Sequence, residues 1–453
     1  MNPCSTSLQV VKVKDVPSGT DQYETLRAAT LDKLAVKVPS DLVLTPSLIL
    51  NPSTDVSGIP ETCGLLTARE IEITENYSAV GLAKAIASKD LTAVEVATSF
   101  AKRAIIAHQL TCCLTQWLMN EAILRAKELD DYMEKNGKPI GPHRAKGSIR
   151  GPSAFCGIYG FKATSDTLPM KDFLRSPFAA ERPMCRKLED MDLLVRVVKA
   201  AQPWLHDASL VPIPWTGFDT AMSRPLQIGI IENDGFIVPQ PPVRRAIEWA
   251  RARLGDPKFA SLWQVKPFRP YNAEGAWRNI RRMYWPDGGA STKAAIQESG
   301  EPVMPLSAHV WSDAEPFGML TAEELNQLRF QRDQFRHRFA ASWSEQDVDV
   351  VIGPAFVGPA SAHDTAFYWT YTSLYNFVDY PGAVFPTPIK AKSSETYPLD
   401  YSPLSAECEH VKKLWSESNF EGAPIDLQIV ARRHQDNILF GALNLLKPAL
   451  DLP

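Results

Sequence analysis

Apolar and polar positions alternate along the chain in two regimes. Between residues 92 and 136 they recur at the three-to-four spacing of helices buried on one side. Thr92 and Glu95 form a capping box, in which each side chain can satisfy an orphan backbone N–H. Val94, Ala97, Ala101, Ala104 and Ile105 then recur at helical spacing. A second helix is predicted from Ala122, Ala126, Leu129 and Met133 on one face, with Arg125, Lys127, Glu128 and Asp131 largely elsewhere. Asn136-Gly137 followed by Pro139 stops it. Ahead of both, Tyr23 to Val36 reads as amphipathic and runs into Pro-rich linkers near Pro46, Pro52 and Pro60.

Beyond residue 147 the pattern changes. Residues 147–168, GSIRGPSAFCGIYGFKATSDTL, are spaced by glycines and only weakly periodic. Leu226 to Ile231 is a continuous apolar run that reads as a buried strand, and Pro242 to Leu254 as the helix after it. Val348 to Ile352 reads as a second such strand, reaching a turn at Gly353-Pro354. Buried strands alternating with helices predict an α/β fold around a largely buried sheet.

Composition narrows the function classes. Of 453 residues, 45% are hydrophobic and 22% charged, which excludes disordered, collagen-like and disulfide-dense classes. The 48 basic and 52 acidic residues balance, and no basic cluster tracks phosphates, so neither nucleic acid nor anionic lipid is an expected partner. Seven scattered cysteines without a C-x-x-C motif suggest reduced thiols in a cytoplasmic protein. Met1 to Val11 lacks the charged-then-apolar pattern of a secretion signal, and no run approaches a membrane span of about 20 apolar residues. Glycine is scarce, 24 against 36 prolines.

Most familiar chemistry is absent. The eight histidines fall in no metal-ligand spacing, so no metal is expected. There is no G-x-S-x-G elbow, no phosphate-binding loop and no G-x-G-x-x-G, so neither an α/β-hydrolase nor a nucleotide cofactor has a basis here. Gly147-Ser148-Ile149-Arg150-Gly151-Pro152 remains. A serine beside small residues, followed by an arginine and a proline turn, can present a hydroxyl over backbone N–H groups suited to an oxyanion, though the hexapeptide alone also reads as a plain turn. A serine nucleophile needs a base, which the hexapeptide does not supply.

At this stretch the chain resembles the amidase signature family, in its fungal acetamidase-like branch. The similar segments run in order: residues 63–110 and 120–142, GSIRGPSAFCGIYGFKAT at 147–164, PMCRKLEDMDLL at 183–194, PLQIGIIENDGFIVPQPPVRRAI at 225–247, HDTAFYWTYTSLYNFVDYPGAVFP at 363–386 and GAPIDLQIVARRHQD at 422–436. The resemblance implies a leader and linker over residues 1–60 and one amidase-like domain over 61–453. That domain would hold a mixed, twisted β-sheet covered by helices. The resemblance further implies a cofactor-free hydrolase of small carboxylic amides. A neutral lysine would relay a proton through a bridging serine to a nucleophilic serine, which forms an acyl-enzyme. By alignment Ser148 is the nucleophile, Arg150 a structural arginine, and the backbone at Gly147 and Lys146 the oxyanion support. The aromatic stretch Tyr368 to Tyr380 either walls an acyl pocket or covers the sheet. A homodimer is compatible with the family pattern.

The departure from the family is specific. Gly141-Pro142 runs almost directly into His143-Arg144-Ala145-Lys146-Gly147-Ser148, where the family has a long segment with the catalytic lysine and the Gly/Ser-rich loop of the bridging serine. Lys89-Asp90, Lys171-Asp172 and Asp287-Gly288-Gly289-Ala290-Ser291 lie in the wrong places to replace them, the last reading as a turn. Activity is therefore expected to be impaired, the alternative being a homologue kept for binding. Central strands are expected to be missing too. Uncovering about 400 Å² of apolar surface at ~25 cal/mol/Å² would cost roughly 10 kcal/mol, so the sheet must close up or the chain folds poorly. The scarcity of glycine fits the loss of a glycine-rich loop.

Overall fold

A computed structural model describes residues 16–452, apart from 54, 115, 117, 137–148 and 170–182. They fall into two compact units, one within Met1–Gly141 with Thr292–Met304 and the other within Pro142–Ser291 with Pro305–Pro453.

The first unit is helical. Its helices include α1 (Asp21–Val36), α2 (Ala68–Glu75), α3 (Ala93–Thr111) and α4 (Met119–Asn136). The capping box forms at α3: Thr92 Oγ1 accepts from the Glu95 N–H at 3.0 Å, and Glu95 Oε2 accepts from the Thr92 N–H at 2.9 Å. Asp130 of α4 reaches back to the same end, accepting from the Ala93 and Val94 N–H groups at 2.7 and 3.0 Å. A carboxylate at a helix N-terminus is stabilised there by the unpaired N–H groups and the helix dipole. Two expectations need correction. In α1 only Ala35 is buried while Leu26 and Val36 are exposed, because its apolar residues share no face. In α4, Ala126 and Met133 are buried but Ala122, in the first turn, faces solvent.

The second unit is α/β. Seven strands pair in the order β2-β1-β6-β7-β5-β3-β4. They are β1 (Tyr159–Lys162), β2 (Met184–Cys185), β3 (Leu226–Ile230), β4 (Trp263–Pro267), β5 (Val350–Pro354), β6 (Gly382–Lys390) and β7 (Pro424–Ala431). β3 is parallel to β4 and β5, and the remaining pairings are antiparallel, so the sheet is mixed. The ladder of described strands is unbroken.

Both faces are buried, which is why the inner strands read as continuous apolar runs. Leu226, Ile228 and Ile230 of β3 face α6 (Leu188–Ala200), α7 (Pro241–Leu254) and α13 (Asp436–Leu450), together with Val350 and Ile352 of β5 and Leu427 and Ile429 of β7. On the other face Val351 and Val430 join residues of α8 (Ala273–Tyr284), α10 (Ala322–Glu345), α11 (Thr370–Phe377) and α12 (Ala406–Glu417). One strand is displaced from its expected bounds. β5 begins at Val350 because Asp349 turns its carboxylate onto the Gln227 N–H (2.8 Å), and it continues through Gly353 and Pro354, which pair with Gln428 and Leu427.

The glycine-spaced stretch becomes α5 (Arg150–Cys156) and β1, joined at Gly157. Gly160 lets the helix lie directly on the sheet: a Cβ there would stand 2.1 Å from Ser153 Oγ. Between α8 and α10 in the chain, α9 (Pro305–Trp311) is the remaining helix of consequence for the site, packed on α8.

Candidate active site

Ser148, Gly147 and Lys146 lie outside the described residues. Ile149 and Arg150, which follow directly, are both buried. Arg150 Nη1 donates to Gln428 Oε1 (2.9 Å), and Nη2 donates to the Thr372 carbonyl (2.6 Å) and to Asn376 Oδ1 (2.7 Å). Gln428 in turn donates to the carbonyls of Pro354 (2.8 Å) and Tyr371 (2.7 Å). One guanidinium thus ties α5 to β7 and α11, and one amide ties β7 to the end of β5. A buried guanidinium tolerates such a place only when its N–H groups are matched by acceptors.

Beside this network lies a pocket of about 200 Å³. Trp369, Thr372, Ser373 and Asn376 line it, so two of its walls are the acceptors of Arg150. A Cβ on Gly151 would come 2.2 Å from Trp369 Cζ3, so the first turn of α5 abuts the pocket wall. The opposite side is α8 and α9, with Trp277, Tyr284, Trp285 and His309. The stretch Tyr368 to Tyr380 therefore splits by face. Trp369 and three polar residues turn to the pocket, whereas Tyr371, Leu374, Tyr375 and Phe377 are sheet-covering core.

The pocket's charged residues are internally matched. Arg281 contacts His309 Nε2 at 2.9 Å, donates to Ser312 Oγ at 2.9 Å and stands 3.2 Å from Asp313. Burial first, and then the Arg281 charge, push the His309 imidazole below its ordinary pKa. A larger open groove, about 1140 Å³, lies between residues 393–403 and α12, but it shares no lining residue with this pocket.

The buried lysine of the sheet is already engaged. Lys162 is on β1, buried, and its Nζ donates to Asp379 Oδ1 at 2.9 Å and to the Tyr380 carbonyl at 3.3 Å. Burial alone would raise the Asp379 carboxyl; the Lys162 ammonium and the Ser165 donors outweigh it and hold the group well below the usual carboxylate range. Lys162 is thus already engaged by Asp379 and the Tyr380 carbonyl. Lys89 sits in a left-handed turn between two helices of the first unit, and Asp287 caps its own turn by accepting from the Gly289 and Ser291 N–H groups. Among the described residues no three His, Cys, Asp or Glu side chains converge as a metal would require, and no helix is long and apolar enough to cross a membrane.

Two buried groups were not anticipated from sequence. Asp426, in the apolar strand β7, is 5% exposed, and neither carboxyl oxygen has a hydrogen-bond partner among the described residues. Burial pushes its pKa up to about 8. Trp277 of α8 is buried, and its indole N–H has no partner among the described residues. An acidic residue inside P-I-D-L-Q-I-V-A is a visible anomaly; an unpaired indole leaves no trace in sequence.

Comparison with known proteins bears on these residues. A family model described as Amidase matches residues 145–440. A putative amidase of Schizosaccharomyces pombe is 28% identical over 500 aligned positions, covering 86% of this chain and 92% of the relative. An acetamidase of Emericella nidulans is 24% identical over 531 positions, covering 91% and 95%. Among solved structures, a fatty acid amide hydrolase superposes with a TM-score of 0.78 at 22% identity, covering 94% of each chain. A bacterial aryl acylamidase of the amidase signature family gives 0.57 at 14% identity, covering 82% of this chain and 96% of the other.

Proposed function

This chain belongs to the amidase signature family, and on that premise we propose that it hydrolyses a small carboxylic amide to acid and ammonia through Ser148, at an impaired rate. Ser148 Oγ attacks the amide carbonyl and its proton passes to solvent. The C–N bond then breaks, the nitrogen takes up a proton to leave as ammonia, and water cleaves the acyl ester. The observation that carries this is the Arg150 network. It fixes the residue two positions after Ser148 against β7 and α11, beside a pocket that can take a small acyl group.

The impairment follows from the missing base. The family's lysine and bridging serine have no counterpart in the sequence, and Lys162 is taken up by its ion pair with Asp379. Support also comes from alignment length: 500 and 531 positions exceed the 453 residues of this chain, so both relatives carry stretches without counterpart here. General-base assistance contributes about 10²–10⁴-fold, so turnover should fall by that order. Purified protein is incubated with acetamide and with benzamide, and ammonia is followed against Ser148→Ala. Slow release that the substitution abolishes is expected; release equal in the two proteins would overturn the assignment.

A second function, binding without turnover, is favoured by one observation: the pocket is formed although the base is absent. It predicts saturable benzamide binding with no ammonia above the Ser148→Ala control.

A further inference from the structure

At the end of α11 two arginines are each anchored by a single nitrogen. Arg336 of α10 donates its Nε–H to the carbonyl of Phe377, the last residue of α11, at 2.8 Å. Arg433, just beyond β7, donates its Nε–H to Asp379 Oδ2 at 3.0 Å. The two acceptors are near neighbours in the chain, so both guanidiniums gather at one corner of the fold. Arg332, one turn before Arg336 on α10, is matched by Asp333 at 2.8 Å. Arg336 Nη1 stands 3.8 Å from the same carboxylate, too far for a hydrogen bond.

The terminal nitrogens of Arg336 and Arg433 therefore meet no hydrogen-bond acceptor among the described residues. They are open to solvent. The two side chains are 22% and 45% exposed, and none of these nitrogens counts among the buried polar atoms without a partner. Charge is left over as well. Lys162, Arg332, Arg336 and Arg433 share two carboxylates, Asp333 and Asp379, and Asp379 also serves Ser165. Burial, then the Arg332 charge, push the Arg336 guanidinium down to about 10; Asp379 offsets part of this and the Arg433 charge adds to it. Both neighbouring arginines are thus close enough to repel Arg336.

Guanidinium forks with free N–H groups are matched by oxyanions. A carboxylate satisfies one fork. A phosphate presents three or more acceptor oxygens and up to two negative charges, which equals the surplus of cations here. We propose that the corner between α10, the end of α11 and the end of β7 is a phosphate site, where Arg336 and Arg433 donate Nη–H groups to one anion and Arg332 adds charge. The ligand is inorganic phosphate or a phosphomonoester. The two arginines lie far apart in sequence, which is why no phosphate-tracking cluster shows before the chain folds. The site is independent of the amide hydrolysis proposed above.

Phosphate is titrated into the full chain by calorimetry in chloride buffer of constant ionic strength, with acetate as the control anion. One phosphate per chain should bind, half-saturating below about 1 mM, and acetate should bind about tenfold more weakly or worse. Phenyl phosphate separates the two sources: affinity equal to that of phosphate points to an esterified ligand, weaker affinity to the free ion. Arg336→Gln and Arg433→Gln should each weaken phosphate binding about tenfold, the worth of a charged hydrogen bond. Absence of saturable binding, affinity matched by acetate, or an affinity unchanged in either variant overturns the proposal. The phosphate–acetate comparison uses the unaltered protein, so the test stands even where a substitution prevents folding.

Discussion

Asp426 makes the stability of the sheet depend on pH, with a sign fixed by its burial. The residue pairs with Pro386 across β6, on the face shared with Gln428, and both of its oxygens lack partners among the described residues. Burial holds its folded pKa at about 8, whereas an unfolded chain returns it to about 4. The folded state therefore binds this proton more tightly. Its contribution is fully present below pH about 4 and is lost as pH rises toward 8. Each pH unit in that window costs about 1.4 kcal/mol, so the loss approaches roughly 5 kcal/mol by pH 8. That is as large as the whole stability of a weakly stable domain, about 5 kcal/mol. Asp426→Asn keeps the shape and removes the ionisation. Thermal melts of both proteins would be followed by circular dichroism between pH 5 and 9. Asp234 and Asp436, whose carboxyls burial also raises, act in both proteins, so the difference between melts isolates Asp426. The substituted protein should gain on the wild type steadily as pH rises. Parallel profiles would refute the reasoning, since they require a carboxylate already ionised in the fold.

Other consequences are local. Gly160→Ala places a methyl 2.1 Å from Ser153 Oγ and must lift α5, so urea unfolding should show a loss of about 2 kcal/mol. Arg150→Met strands buried acceptors on Gln428, Thr372 and Asn376, and the same assay should lose about 3 kcal/mol or more; a loss under about 1 would contradict the network's role. Gly151→Ala drives a methyl into the Trp369 ring and should raise KM for benzamide more than for acetamide, with steady-state kinetics as the check.

The fold was legible where burial is two-sided. LQIGII and VDVVI announced β3 and β5 because both faces of those strands are covered, and Thr92 with Glu95 announced α3 because capping is local chemistry. The bounds of β5 were not, since the Asp349 carboxylate competes for the first rung and Pro354 can still supply a carbonyl at the last. Nothing in G-S-I-R states that its arginine meets Gln428, 278 residues away. The orphan state of Trp277 is likewise invisible, because it depends on which acceptors α9 and α11 fail to bring. Asp426 was visible as an oddity in an apolar strand, but only packing gives it a pKa near neutrality.

Whether Ser148 is a nucleophile is decided most directly by covalent labelling. The protein is exposed to a serine-directed fluorophosphonate and analysed by intact mass and then by peptide mapping. One adduct per chain at Ser148, accumulating slowly for want of a base, is the predicted result. A chain that stays unlabelled after exposure long enough to offset a reaction about 10⁴-fold slower than that of an active amidase would contradict it.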